Sequence, residues 1–133
     1  MSSISRLKKQ EQLPAIDPKA LLSGVLTVAI LSIILSLVMA SVIYFSELTE
    51  ELTMMVLSYT GFAVIAVGGA IASRKARTRG FVHGGMVGVI YILITAALSV
   101  LIFPSALVLS EVFLKVLLGF TIGALGGVIG INL

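Results

Sequence analysis

The chain predicts an all-α integral membrane protein, a four-helix bundle built as two helical hairpins of similar design. Three observations carry this. Apolar residues make up 59% of the 133-residue chain and charged residues 11%, against about 45 to 50% and about 25% in soluble domains, and the mean hydropathy is +1.19. Four apolar stretches, at about 21–45, 52–73, 81–103 and 111–131, are each long enough to cross a hydrocarbon core of about 30 Å at about 1.5 Å per helical residue. A basic knot, Arg74, Lys75, Arg77 and Arg79, divides these stretches two and two.

Residues 1–17 are polar, mixed in charge and without a helical or strand period, so a flexible cytosolic tail is expected ahead of a membrane domain at 18–133. The apolar run that follows Arg6, Lys8 and Lys9 exceeds the core of a signal peptide, about 7 to 15 residues, and the tail reads as retained. Asp17 and Pro18 form a start signal, because the carboxylate can cap free amides and proline at the first helical position gives up an amide with no partner. No charge interrupts Leu21 to Phe45, and Tyr44 suits the far interface. The next turn holds Glu47, Glu50 and Glu51 without a basic residue, and Thr49 followed by two glutamates fits the positive end of the second helix. The third span closes at Pro104, and the apolar residues 105–109 suggest an outer turn lying in the interface. Ser110 and Glu111 read as the cap of the fourth span, which runs to Asn132 and Leu133.

Lys and Arg are concentrated in the tail and in the loop between the second and third spans, and the Glu47 to Glu51 turn has none. By the positive-inside rule both termini and the basic loop face the cytosol. Glu111 and Lys115 then fall near the outer face at a pairing distance of one helical turn. Lys115 reads as a snorkelling lysine near a helix end ahead of an ion-pathway group.

The net charge of +3 and the pI of about 9.5 come from residues beside the spans, where anionic lipid head groups are nearer partners than nucleic acid. There is no cysteine, which excludes disulfides and thiolate chemistry. No nucleophile stands with a base, no carboxylates are paired, and the glycines lie in spans and not in a loop after a strand, so neither an enzyme nor a cofactor is expected. His83 has no His, Cys or carboxylate companion at ligand spacing and reads as a hydrogen-bonded interfacial residue, with no metal site.

Laying the second span on the fourth matches Gly61 with Gly119, Phe62 with Phe120, Ala66 with Ala124, Gly68 and Gly69 with Gly126 and Gly127, and Ile71 with Ile129. The first and third spans share Gly24 with Gly84 and Ile30 with Ile90. A duplication would place the hairpins as parallel repeats about an axis along the membrane normal; the plainer reading is similarity between Gly-rich helices drawn from a small alphabet. Nearly all the glycine sits toward the basic loop: Gly24, Gly68 and Gly69, Gly84, Gly85 and Gly88, then Gly123, Gly126, Gly127 and Gly130, with Gly119 extending the last stripe. Glycine costs roughly 1 kcal/mol against Ala in a helix interior, and in lipid the compensating gain is close backbone approach through small-xxx-small faces. The expectation is a bundle pinched at the cytosolic side and filled by bulkier Leu, Ile and Phe outside.

Ser32, Ser36, Ser58, Tyr91, Thr95, Ser99 and Thr121 punctuate the spans. The bland reading has Ser and Thr bonding back to their own helices and Tyr91 to a neighbour; the sharper one has Ser36, Tyr91, Thr95 and Ser99 lining a path for a small solute. No Asp, Glu, Lys or Arg lies mid-membrane to couple ions to such a path. The leading expectation is a non-enzymatic protein acting in helix packing, oligomeric assembly or docking to another membrane protein, with its basic loop on anionic lipid. The alternatives are a small channel or facilitator formed by an oligomer, and a lipid-binding module acting through Arg74 to Arg79.

At Ala76, Gly80, His83, Gly84, Gly85, Gly88 and Tyr91, and again at the C-terminal GGVIGINL from Gly126 to Leu133, the chain resembles a family of small four-helix membrane proteins of unknown function, found mainly in low-GC Gram-positive and often spore-forming bacteria. The resemblance spans residues 18–133 and implies four spans in a bacterial plasma membrane. It brings no activity and no catalytic residue. Small multidrug exporters would need a carboxylate in the first span, which has none, and fluoride-channel-like proteins would need a polar Asn and a Phe-rich core that this chain lacks.

Overall fold

The computed structural model describes residues 16–103 and 109–133, and all regular structure among them is α-helical. Four helices follow one another: α1 Pro18–Phe45, α2 Glu50–Ala76, α3 Gly80–Ile102 and α4 Leu109–Asn132. All four are long and apolar enough to cross a membrane. The tail at 1–15, Pro104 and most of the apolar outer turn lie outside the described residues.

The helix starts follow local chemistry. Asp17 caps α1, its carboxylate accepting from the amide of Lys19 at 2.9 Å and of Ala20 at 3.4 Å, with Pro18 in the first position. Thr49 occupies the cap of α2 without a side-chain cap bond, so Glu50 and Glu51 in the first turn are what face the positive helix end. Ser110 is not a cap: α4 already begins at Leu109, which puts Ser110 and Glu111 inside its first turn.

The basic loop is a sharp reversal. Arg77 ends α2 in the left-handed region at φ 55°, its amide bonding the Ser73 carbonyl at 3.0 Å, and Arg79 precedes α3 at φ 44°. Left-handed backbone costs roughly 1 to 2 kcal/mol at a residue with a Cβ. The buried Ser73 hydroxyl donates to the Gly80 carbonyl at 2.8 Å and ties the two helix ends together across the turn.

α2 and α3 form the central pair, each packing on the other three helices, while α1 touches α2 and α3 but not α4 among the described residues. Burial is confined to the half of the bundle beside the basic loop: residues 20–28 of α1, 64–73 of α2, 80–92 of α3 and 119–130 of α4 include every buried position. Val28, Val64, Ile65, Val87 and Ile92 form its apolar centre. The pinch expected from the glycines is therefore present, but the far half is not the filled core expected beyond it. Leu98, Leu101, Phe113 and Leu117 are exposed there, because bulky side chains hold helix backbones apart where glycines let them touch.

Candidate functional site

No glycine has a positive φ, so conformational freedom does not explain their use here; close approach does. α3 and α4 cross with backbone against backbone. A methyl group placed on Gly84 would overlap the Gly123 carbonyl oxygen, one on Gly88 the Gly119 carbonyl oxygen, and one on Gly127 the Gly80 carbonyl oxygen. The double glycine of α2 serves two neighbours: Gly68 faces Val28 and the Gly24 carbonyl of α1, and Gly69 faces Gly123 of α4 and Gly84 of α3. Gly126 and Gly130 seat on the carbonyls of Ala66 and Ala70 in α2, and Gly85 lies under the Phe120 ring, itself edge-on to Phe81 at 5.4 Å. These glycine faces are thus contacts within one chain.

The basic end is closed by a histidine. His83 is 0% exposed; its Nε2 accepts the amide of Asp17 at 3.0 Å, which leaves Nδ1 to donate to the Arg79 carbonyl at 3.2 Å. The hydrogen bonding expected for it is present, and its burial within the bundle, which was not expected, pins the start of α1 to the start of α3. Around this cap Arg74, Lys75, Arg77 and Arg79 are all exposed.

The polar residues of the spans separate into two cavities and a remainder. Ser32, Ser36, Thr60 and Tyr91 line a half-open cavity of about 150 Å³ between α1, α2 and α3, together with Leu35, Met39, Leu57, Gly61 and Val64. Across it the Ser32 and Tyr91 hydroxyls lie 2.8 Å apart, a bond between α1 and α3. Thr95 instead lines a second cavity of about 200 Å³ with Ser58, Gly61, Phe62 and Lys115, between α2, α3 and α4. Ser99 lines neither and is exposed on α3. The four residues expected along one path therefore divide, and the buried Val28, Val64 and Val87 lie in the core cluster on the basic side of the first cavity. Ser58 and Thr121 bond back to the carbonyls of Met54 and Leu117, and Thr95 to that of Ile92. Lys115 reaches Glu111 at 3.9 Å, with its side chain 66% exposed.

A family model described as a protein of unknown function (DUF3792) matches residues 17–130. The chain belongs to this family. Its match begins at Asp17, the residue that caps α1 and bonds His83, and takes in all four helices almost to their ends. No curated protein and no solved structure gave a significant match. For this DUF3792 member sequence reasoning passed over Thr60 as a cavity residue and read Gly61 only as a repeat match. Gly61 carried a usable signal, since it stands apart from the glycines near the basic loop.

Proposed function

We propose that this is a non-enzymatic, multi-pass protein of a bacterial plasma membrane that acts as an assembly element, docking a second copy or another membrane protein at the half of the bundle away from the basic loop. The observation that carries the reading is the distribution of packing. The glycine-locked half holds the helices backbone against backbone, while in the other half no described residue is buried and large side chains such as Leu101 and Leu117 stand 81% and 55% exposed. In this reading both termini and the basic loop are cytosolic. The four exposed cations of that loop then rest on anionic lipid, at about 1 kcal/mol each near the surface. The hairpins are read as duplicated; the match of Gly61, Phe62, Gly68 and Gly69 with Gly119, Phe120, Gly126 and Gly127 in the sequence supports this.

The test is the native mass in lipid nanodiscs, with photo-cross-linkers at Leu101 and Leu117 in the native membrane. Expected are a defined multiple of the 13.9 kDa chain or a discrete protein adduct from both positions. A single chain that yields lipid adducts alone overturns the reading.

A further inference from the structure

Hydroxyl groups in a membrane span are ordinarily satisfied by a carbonyl of their own helix. Thr27, Ser41, Ser58 and Thr121 all do this here. Ser36, exposed at the mouth of the cavity between α1, α2 and α3, and the half-buried Thr60 on its wall make no hydrogen bond among the described residues. They stand with Ser32 and Tyr91, so four hydroxyls from three helices converge on one space.

A second observation comes from Gly61. Twelve of the thirteen glycines have an atom within 4 Å of where a Cβ would stand, and Gly61 alone has nothing among the described residues. A glycine in a helix interior costs roughly 1 kcal/mol against Ala, and at Gly61 no close helix contact offsets it. What its missing side chain does is keep space open, since Gly61 borders both cavities. The aligned Gly119 in the second hairpin is packed by Ile92 and Gly88 and leaves none.

The lining sets four hydroxyls against an apolar wall of Leu35, Met39, Leu57 and Val64 and holds no carboxylate, ammonium or guanidinium. An ion stripped of its water would find no opposite charge there, whereas a neutral molecule rich in hydroxyls finds groups that both donate and accept. About 150 Å³ holds roughly five waters at about 30 Å³ each, or one polyol of the size of glycerol. We propose that this cavity is a water-accessible binding site for a small neutral polyol, held by Ser32, Ser36, Thr60 and Tyr91. It belongs to the single chain and does not depend on a docked partner.

The absence of cysteine permits a direct test with Ser36→Cys, Thr60→Cys and the lipid-facing Leu37→Cys, each as the purified chain in nanodiscs with methyl methanethiosulfonate as the reagent. This small neutral probe reaches all three sites, but only a hydrated thiol forms the reactive thiolate. Expected are rates at Ser36→Cys and Thr60→Cys at least about tenfold above Leu37→Cys, the hydration effect outweighing reagent access. Molar glycerol slows both, and adding Gly61→Leu to either variant suppresses its labelling. Rates no higher than that of Leu37→Cys overturn the hydrated cavity. Labelling indifferent to Gly61→Leu overturns its location, and labelling indifferent to glycerol overturns the polyol.

Discussion

A methyl group on Gly84 would overlap the Gly123 carbonyl oxygen and stand 2.7 Å from the Cα of Gly127, both backbone atoms of a helix that cannot yield alone. On Gly61 it would meet nothing among the described residues. Gly84→Ala is therefore expected to destabilise the chain by about 1 to 3 kcal/mol, as overpacking does, and Gly84→Leu to prevent native packing. Gly61→Ala is expected to be neutral or stabilising by up to about 1 kcal/mol. Thermal unfolding in one detergent, followed by circular dichroism, compares the three; equal losses at both sites would remove the distinction. Because these contacts lie within the chain, leucine at Gly84 or Gly127 reports on the fold and not on assembly. The glycine bias toward the basic loop was visible in the sequence as a spacing of small residues. Which of them touch was not, since every one satisfies the same spacing and only the rotation of each helix distinguishes Gly61 from Gly119.

Among the elements, α1 is the least buried of the four and is held at three levels: the Asp17 amide on His83, Gly24 and Val28 against Gly68, and Ser32 on Tyr91. The last is the outermost tie. Ser32→Ala and Tyr91→Phe each remove it, and the double variant should lose little more than either. The expected coupling is about 0.6 kcal/mol and at most about 1.7, the range of hydrogen bonds between membrane helices; additive losses would show that the two hydroxyls act separately. The existence and order of the helices were legible because uninterrupted apolar stretches between charged turns permit little else. The sequence also marked Tyr91 as a residue that would bond a neighbouring helix, but which helix depended on the crossing at Gly24 and Gly68. His83 was legible as hydrogen-bonded and not as buried, because its partner lies 66 residues away.

At the scale of the whole molecule, one end is close-packed backbone on backbone and the other has no buried residue among the described ones. Local opening should follow that gradient. In detergent micelles the amides of residues 84–88 and 123–127 are expected to exchange at least about tenfold more slowly than those of residues 53–58 in the exposed half of α2, a factor corresponding to about 1.4 kcal/mol of opening free energy. Uniform protection along the helices would contradict the gradient. By itself the sequence determined the all-helical class, the four crossings, the cap at Asp17 and the end at which the bundle would pinch, because each rests on hydrophobic length, local capping or the small size of glycine. Only the tertiary structure decided that α1 stands clear of α4, that the hydroxyls divide between two cavities and that Gly61 faces open space. Those outcomes depend on how each helix is turned and tilted against its neighbours, which packing at the glycine contacts sets and no single segment encodes.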